Sequence, residues 1–349
     1  MQINLLQSEE ELYRNYIDSN PSASIYHTLE WRDIIKETYR YKPQYIIAGD
    51  GETIKGVLPL FQVNSYINGR RLVSIPFTHR VNILYYDIST LQQMIGFAKD
   101  LVSRSRCNYL EIRHGMDLPE SVELKCSQNF FDSTLDISEP LDRIWGRFEG
   151  SVRRAIRKGR QSDLKITQGT ELEDYRIFYE LELETRKRQG SPPYSFRFFE
   201  NLHSKLHTLG KAKLYFAAFN NQDIASVIIL YYKKIAIYAY GASTSDRDLL
   251  KLRPNNLLFW QAIQDAHQCG CQLFDFGTTH PSNKGLLRFK SGWGTSDIRI
   301  PYYYFLNTIS DIPVLDRDSF KLRFVNGILK QMPLALLRTA GPVLLKQLG

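Results

Sequence analysis

The chain has 349 residues and a formal net charge of +8; 43% of its residues are hydrophobic and 23% are charged. At ~150 residues per domain this length predicts two domains, and the apolar share suits a protein with a buried core. The first residues lack the basic start and apolar run of a signal peptide, and no uncharged stretch reaches the ~18 residues of a membrane-spanning helix. These features argue against a secreted or membrane-spanning protein and predict a cytoplasmic one with anionic partners.

The first half of the sequence predicts a sheet followed by a helix and one more strand. Asp50-Gly51 and Asn68-Gly69 are dipeptides typical of tight hairpin turns, and they separate three predicted strands. These strands cover residues 44–48, 54–62 and 71–75. A helix over residues 91–103 and a strand over residues 109–113 follow.

The second half predicts the same order of elements. Three strands precede a helix that begins at Pro254, where proline suits the first turn, and that stops before Gly270. The predicted strands cover residues 213–219, 224–232, 235–241 and 273–276. The repetition predicts an α/β (α+β) protein with two tandem domains, each a mixed, largely antiparallel sheet flanked by helices.

A basic connector lies between the two halves. Seven Arg or Lys residues and one acid, Glu149, lie between Arg143 and Arg160. Helices are predicted over residues 151–158 and 171–189, and Gly190 ends the second of them. The connector therefore presents a dense positive charge on a helix.

The tail, residues 325–348, is apolar with widely spaced basic residues, and Pro333 and Pro342 interrupt it. It fits either a short basic amphipathic segment in a membrane interface or terminal helices packed on the protein. The predicted limits are 1–140 for the first domain, 141–310 for the second and 311–349 for the tail.

Common nucleotide and metal motifs are missing. No Gly-x-Gly-x-x-Gly follows a strand, so dinucleotide binding is unsupported. The loop over residues 277–285 has the wrong glycine-to-lysine spacing for a phosphate loop, and Pro281 removes a backbone N–H. His267, Cys269 and Cys271 lack a fourth ligand nearby, so we expect no metal site.

The repeated strand-strand-strand-helix-strand unit resembles the GNAT acyltransferase fold. Six segments also resemble, in order, motifs of the Fem-like (FemAB-related) family of tandem GNAT acyltransferases, in particular its members found with bacterial exopolysaccharide and PEP-CTERM systems. The segments cover residues 31–36, 151–158, 184–193, 240–243, 274–277 and 288–294. The resemblance implies two GNAT-like domains. No heptad-rich stretch is present, so we expect no long coiled-coil arm.

By this resemblance the reaction is acyl transfer from an activated carbonyl. Charge builds on the carbonyl oxygen in such a reaction, and an ammonium in a dry cleft stabilises it. Lys290 matches the family's Phe-Lys position and is the candidate for this role. Asp87, at a first-domain position where the family often has an aspartate, and Asp275, on an apolar strand, are candidates for the general base. Asp275 alternatively caps the turn that follows it.

The resemblance also implies groups that bind the acceptor. Fem enzymes hold the diphosphate of a nucleotide-sugar precursor with a first-domain lysine and a second-domain arginine. This assigns Lys36 and the pair Arg186 and Arg188 to phosphate recognition. Trp31 and Phe289 complete the predicted substrate-binding set.

The basic helix is the candidate donor site, through Arg153, Arg154 and Arg157. The expected co-substrate is an acyl-CoA or an aminoacyl-tRNA, with no tightly bound cofactor. The absence of the Arg/Gln-x-x-Gly-x-Gly/Ala turn between residues 241 and 253 weakens the acetyl-CoA alternative.

The predicted function is transfer of an acyl or aminoacyl group onto an amine or hydroxyl of a phosphate-bearing cell-envelope or exopolysaccharide precursor. The expected partners are a phosphate-bearing glycan or nucleotide-sugar precursor, a tRNA donor, and the inner membrane face through residues 325–348. Two alternatives stay open: an acetyl-CoA-dependent acetyltransferase acting on a glycan, and a basic nucleic-acid-binding protein without catalysis.

Overall fold

The chain folds into two units, and neither is one continuous stretch of sequence. The computed structural model describes residues 1–78, 80–313 and 320–349. Unit 1 comprises Met1–Phe131, Arg299–Leu315 and Lys346–Gly349, and unit 2 comprises Asp132–Ile298 and Asp316–Leu345. Residues 314–319, at the start of the predicted tail, lie outside the described residues.

Unit 1 contains two sheets. Its strands are β1 (Gln2–Leu5), β2 (Lys42–Pro43), β3 (Ile46–Gly49), β4 (Ile54–Leu58), β5 (Leu60–Ser65), β6 (Gly69–Ser74), β7 (Leu84–Tyr85) and β8 (Tyr109–Arg113). Strand β9 (Lys125–Asp136) carries the chain into unit 2, and β15 (Ser296–Leu306) carries it back. One sheet has the order β1-β3-β4-β7, and β15-β8-β6-β5-β2 are neighbours in the other. The pair β6–β8 is parallel, whereas β5–β6 and β8–β15 are antiparallel.

Three helices belong to unit 1: α1 (Glu10–Ser19), α2 (Leu29–Tyr39) and α3 (Ile88–Arg104). The apolar residues of α3 recur every three or four positions, which makes one face of the helix hydrophobic. That face, through Leu91, Met94 and Ala98, packs into a core with Leu58 and Leu110 from the strands.

Pro59 divides the strand predicted at residues 54–62. Strand β4 ends at Leu58 and β5 begins at Leu60, and the two strands belong to different sheets. Proline has no N–H to donate to a strand ladder, so an unbroken strand through residue 59 would lose a hydrogen bond. The prediction of a single strand here is wrong.

Two histidines are fully buried in unit 1. His27 and His114 are each 0% exposed, and Nδ1 of His114 accepts the Ile83 N–H at 3.0 Å. Burial, together with the nearby His27, lowers the pKa of His114 to about 4. The imidazole of His114 is therefore neutral in the folded protein at neutral pH.

Replacement of His114 by glutamine is expected to flatten the loss of stability in acid. Between pH 6.5 and pH 4 the unfolded chain takes up a proton at this histidine while the folded chain does not, so the free energy of unfolding falls as the pH falls. A pKa lowered from 6.5 to about 4 corresponds to roughly 3 kcal/mol. Urea unfolding of wild type and H114Q at pH 7.5 and pH 4.5 measures the effect. An equal acid loss in the two proteins would contradict it.

Unit 2 contains five neighbouring strands of a sheet, with helices around them. The strands are β10 (Lys165–Gly169), β11 (Ala212–Phe219), β12 (Gln222–Tyr232), β13 (Ile235–Ser243) and β14 (Leu273–Thr279). The helices are α4 (Leu141–Arg147), α5 (Gly150–Gln161), α6 (Leu172–Gln189), α7 (Phe196–Leu202), α8 (Arg247–Leu250), α9 (Pro254–Gln268) and α10 (Lys284–Ser291), with a π-helical turn at His203–His207. Strands β10 to β13 pair antiparallel in sequence order, and β13 pairs with β14 in parallel.

Strands β13 and β14 pair only at their beginnings. The parallel register runs from Ile235 opposite Leu273 to Ile237 opposite Asp275, whereas the strands continue to Ser243 and Thr279. The register of β12 against β13 also shifts beyond this point. A bulge of this kind bends a strand, and the cleft described below is lined by the ends of β13 and β14 that do not pair with each other.

Aromatic rings fill the core beneath these strand ends. Trp293 is fully buried, and its ring centroid lies 5.1 Å from that of Phe148 and 5.8 Å from that of Phe276. Phe148 meets Trp260 of α9 edge to face at 5.4 Å. The Trp of the segment 288–294 is thus a core residue that anchors the end of α10.

Two C-terminal helices, α11 (Phe320–Gln331) and α12 (Leu334–Leu348), follow. Pro333 separates them as predicted, but Pro342 lies inside α12, so the prediction that it breaks the tail is wrong. A side chain at Gly341 would come within 2.3 Å of the Pro193 ring. The close packing of this backbone on Pro193 holds the helix despite the hydrogen bond that Pro342 cannot make.

Both units therefore contain mixed, largely antiparallel sheets flanked by helices, which confirms the predicted fold class. The longest helix in the described ranges, α6, has 18 residues and ends at Gly190, whose φ of 70° favours glycine.

Candidate active site

A cleft of about 990 Å³ opens in unit 2 at the ends of β13 and β14. The walls come from the strand ends, from α5 and α6, from the start of α9, and from α10. Rings of Tyr238, Phe259, Phe276 and Phe289 form an apolar part of the lining. The remaining lining is dominated by charged and polar groups.

The charge of the cleft is strongly positive. Six cationic side chains line it: Arg154, Lys158, Arg188, Arg253, Arg288 and Lys290. Among the described lining residues, Glu149 is the one carboxylate. An open cleft with this imbalance attracts a ligand with several negative charges, and phosphate groups fit best.

The first turn of α9 adds backbone groups to this positive region. Arg253 precedes the helix with a φ of 68°, Pro254 occupies its first turn, and Asn255 and Asn256 line the cleft. The first N–H groups of a helix have no partner within the helix and carry partial positive charge. The start of α9 therefore suits an anion next to Arg253.

Lys290 lies at the buried end of the cleft. Its side chain is 3% exposed, and Nζ donates a hydrogen bond to the carbonyl oxygen of Gly277 at 2.5 Å. Burial lowers the pKa of Lys290 to about 8, although the carboxylates of Asp132, Asp275 and Asp297 act in the opposite direction. At pH 7 most of the Lys290 population is a weakly hydrated ammonium, the form that stabilises negative charge.

Asp275 supports this arrangement from the strand. Its Oδ1 accepts the N–H of Gly277 at 2.6 Å, and Gly277 has a φ of 74°. The carboxylate therefore caps the turn that carries the carbonyl partner of Lys290. Asp275 is 6% exposed and is not among the cleft-lining residues, so it lies behind the residues that form the cleft wall.

Arg186 and Arg188 have different surroundings although both belong to α6. Arg186 donates to Glu182 at 2.7 Å, and its guanidinium lies over the ring of Tyr194 at 5.0 Å. Arg188 lines the cleft and donates to the carbonyl oxygen of Thr244 at 2.6 Å. Arg188 is thus the member of the pair that reaches the cleft.

Glu182, the partner of Arg186, is 1% exposed. Burial raises its pKa to about 7, against the influence of Arg186. A carboxyl group with a pKa near neutrality is a feature that no pattern in the sequence indicates, because it depends on burial by distant segments.

The basic connector helix, α5, has two faces. Arg154 and Lys158 line the cleft. Arg157 and Arg160 lie over the ring of Trp145, at 5.9 and 6.0 Å. Arg153 is half-buried and is not among the lining residues. Of the three arginines assigned to the donor from sequence, Arg154 is the one in the cleft.

The remaining candidates belong to unit 1. Lys36 is exposed on α2, whereas Trp31, on the same helix, is fully buried against Tyr26. Asp87 caps α3 by accepting from the hydroxyl and the N–H of Thr90, both at 2.7 Å. These bonds lower the pKa of Asp87, which makes it a weaker base.

Several cleft residues lie outside the set assigned from sequence. Lys158 continues the face of α5 that begins at Arg154, and a helical spacing of four residues indicates this. Arg288 precedes Lys290 by two residues in a segment that the sequence singled out. Arg253 stands directly before a proline-started helix, which is a signal for an anion site at a helix start. The described part of the chain contains no group of three or more His, Cys, Asp or Glu side chains that could hold a metal ion.

Comparison with known proteins supports the same interpretation. A family model described as an acetyltransferase (GNAT) domain matches residues 146–291, which carry nearly all of the cleft. A Lipid II:glycine glycyltransferase of Staphylococcus epidermidis is 20% identical over 373 residues, covering 80% of this chain and 87% of that protein. The Lipid II:glycine glycyltransferase of Staphylococcus aureus is 19% identical over 382 residues, with the same coverage.

Solved structures share the fold. The crystal structure of FemX matches with a TM-score of 0.71 at 15% identity, covering 88% of this chain and 98% of that one. A tandem GNAT protein from the clavulanic acid biosynthesis pathway matches with a TM-score of 0.55 at 11% identity, covering 89% and 99%. Sequence and fold lead to one conclusion: this chain is an acyltransferase with a GNAT domain over residues 146–291, and it is similar to the Fem-like tandem GNAT proteins.

Proposed function

We propose that the protein transfers an aminoacyl group from aminoacyl-tRNA to an amine or hydroxyl of a phosphate-bearing cell-envelope precursor. The observation that carries the proposal is the buried ammonium of Lys290 at the end of a cleft lined by five further cations. The cations hold the phosphates of the donor, and the ammonium faces the carbonyl that reacts.

Lys290 supplies the electrostatic part of the reaction. The acceptor attacks the activated carbonyl as a neutral nucleophile, and the proton that it loses passes through solvent to the donor oxygen that leaves. The carbonyl oxygen becomes negative, and Nζ of Lys290 shifts toward it from the carbonyl of Gly277. When the bond to the donor breaks, the charge leaves that oxygen and the ammonium returns to Gly277.

The choice of donor rests on the relatives. Two of them are glycyltransferases that act on lipid II, by their names, and they align along 80% of this chain. The cations of the cleft are distributed over several helices, which suits a chain of phosphates more than a single pyrophosphate. Acyl-CoA is the second candidate, because the matching family model describes an acetyltransferase domain.

The proposal for the acceptor rests on the same two kinds of evidence, the relatives and the cations of the cleft. Lipid II carries phosphate, and the cleft-lining Arg188 is a suitable phosphate ligand. On this proposal Arg188 recognises the acceptor's phosphate in the cleft, while Arg186 holds the local structure through Glu182. Lys36, exposed on α2 of unit 1, is a separate candidate for contact with the acceptor. An exopolysaccharide precursor with a diphosphate offers the same chemistry.

Calorimetric titration separates the two donors. Wild-type protein is titrated separately with three ligands: acetyl-CoA, CoA, and a short oligonucleotide that carries a non-hydrolysable aminoacyl group at its 3′ end. Micromolar binding of the oligonucleotide without binding of CoA is the expected result. Binding of both CoA ligands and not of the oligonucleotide would replace aminoacyl-tRNA by an acyl-CoA.

The C-terminal helices are proposed to contact an anionic membrane surface from the cytoplasmic side. Four large apolar side chains on them are 47–63% exposed: Phe324 and Ile328 on α11, and Leu336 and Val343 on α12. Spacings of four and seven residues place each pair on one helix face. The same helices carry the exposed cations Lys330 and Arg338. No helix in the described ranges is long and apolar enough to cross a membrane, and an exposed apolar face with basic flanks suits the headgroup region.

The double variant L336E/V343E is expected to bind vesicles that contain phosphatidylglycerol about 100-fold more weakly than wild type, since each lost apolar contact contributes roughly 1.5 kcal/mol. L172E/L209E is the matched control, because Leu172 and Leu209 are 38% and 55% exposed in other parts of unit 2. Co-sedimentation measures both. Equal loss in the two variants, or none in the first, would contradict the membrane contact.

A further inference from the structure

The hairpin that joins β5 to β6 exposes two large apolar side chains in unit 1. Its last residue pair is Ser65 opposite Gly69, and residues 66–68 form the β5–β6 tip. At this tip Tyr66 is fully exposed and Ile67 is 57% exposed. Contact of such groups with water is unfavourable, so two of them side by side on a projecting turn suit contact with an apolar phase.

The N–H groups of the β5–β6 tip have partners within the protein. The hydroxyl oxygen of Ser65 accepts the N–H groups of Ile67 and Asn68, both at 3.0 Å. The same hydroxyl donates to the carbonyl oxygen of Gln347 at 2.7 Å, and Oε1 of Gln347 accepts the N–H of Tyr66 at 2.8 Å. A backbone N–H without a partner is costly to move out of water, so these bonds lower the cost of moving the tip into lipid headgroups.

Arginines accompany the base of the hairpin. Arg70, the second residue of β6, donates to the carbonyl oxygen of Ser105 at 3.0 Å. Arg104 and Arg106 flank Ser105 at the end of α3, and both are exposed. The sequence of α3 contains one acid, Asp100, so this corner of unit 1 stays positively charged. Cations beside an apolar tip are complementary to an anionic lipid surface.

The apolar area of the β5–β6 tip is small for a protein interface. A large aromatic side chain buries ~150–250 Å², whereas a stable interface between two proteins buries ~800 Å² on each partner. A lipid surface needs no matching shape. Tyrosine suits such a surface because its ring enters the boundary with the acyl chains while its hydroxyl stays among the headgroups.

We propose that the β5–β6 tip inserts Tyr66 and Ile67 into the headgroup region of an anionic membrane. Arg70, Arg104 and Arg106 then contact the lipid phosphates around the tip. All five residues belong to unit 1. The proposal depends neither on the acyl-transfer reaction nor on the membrane contact proposed for α11 and α12.

Co-sedimentation of the whole chain with vesicles of phosphatidylcholine and phosphatidylglycerol tests the apolar contact. Y66S/I67S is expected to bind about tenfold more weakly than wild type, because an interfacial contact buries part of each side chain. Y86S/I88S is the matched control: Tyr86 and Ile88 are 81% and 46% exposed in unit 1, and they flank Asp87. A change of less than about twofold is expected there. Equal weakening by the two double variants would overturn the proposal.

R104Q/R106Q tests the charge. At low salt it is expected to bind the same vesicles about 25-fold more weakly, about fivefold for each lost cation. The difference from wild type should shrink as the salt concentration rises. With vesicles of phosphatidylcholine alone, wild type and R104Q/R106Q should bind equally weakly. A variant that binds a single-stranded oligonucleotide more weakly but anionic vesicles normally would assign the arginines to nucleic acid and overturn the proposal.

A tryptophan at the tip reads insertion directly. Y66W emission, after subtraction of the wild-type signal, is expected to shift to shorter wavelength when anionic vesicles are added, because the indole leaves water. Y86W is expected to show no shift. An unshifted Y66W in a protein that binds vesicles would assign the membrane contact to another surface, such as α11 and α12, and overturn the proposal.

Discussion

Lys290→Met is expected to lower kcat by about 10²–10³-fold, with little change in the KM of either substrate. The ammonium interacts strongly only with the oxygen that becomes negative during the reaction, so its loss affects the transition state more than the bound substrates. Methionine retains the length and apolar stem of lysine, and Lys290 is 3% exposed, so packing in this part of unit 2 is largely preserved. Steady-state kinetics at pH 7 measure the effect.

Lys290→Arg is the control for charge. Wild-type kcat is expected to fall as the pH rises through about 8, because the neutral amine that forms there cannot stabilise an oxyanion. Arginine stays protonated across this range, so any activity that K290R retains should not show this fall. Full turnover by a correctly folded K290M protein would remove Lys290 from the mechanism.

Neutralising the cleft face of α5 is expected to weaken donor binding about 10–100-fold, since each hydrogen bond to a charged group contributes roughly 1.5–3 kcal/mol and part of that is lost to solvent in an open cleft. The variant is R154Q/K158Q, and both side chains line the cleft. With a tRNA donor the slope of log Kd against log salt should also decrease by about 1.4, from two lost contacts to single-stranded phosphates.

The same helix offers a matched control. R157Q/R160Q removes an equal charge from side chains that lie over Trp145. A change in donor Kd of less than about threefold is expected there, because exposed charges at this distance are largely screened by salt. Equal weakening by the two double variants would mean that α5 attracts the donor only through its net charge.

The order of elements from β11 to β14 could be predicted because its signals are local. Pro254 at the start of a helix, Gly190 at the end of another, and strands separated by short polar turns each depend on neighbouring residues. The observed bounds of β11 to β14 extend the predicted strands by at most three residues at either end.

Features that depend on packing between distant segments could not be predicted from the sequence. Pro342 was expected to end a helix, but the approach of Gly341 to Pro193 keeps α12 continuous. The sequence shows Pro59, but it does not show that the strands before and after this proline, β4 and β5, belong to separate sheets.

In the candidate site, too, local features could be predicted from the sequence and features set by distant packing could not. Lys290 was chosen from a motif, whereas its burial and its hydrogen bond to the carbonyl oxygen of Gly277 follow from the packing of α10 on β14. Arg186 and Arg188 have equivalent patterns, and only the fold assigns one to Glu182 and the other to the cleft. Charge patterns therefore indicate which helices are basic, but not which of their side chains reach a ligand.

The most direct test is a single-turnover assay of acyl transfer. Wild type is mixed in excess with tRNA carrying radiolabelled amino acids, together with lipid II or its soluble nucleotide-sugar precursor, and acetyl-CoA is tested in parallel. The account predicts label on the acceptor with wild type and at least about 100-fold slower transfer with K290M. Transfer at equal rates by the two proteins, or no transfer by wild type from either donor, would contradict it.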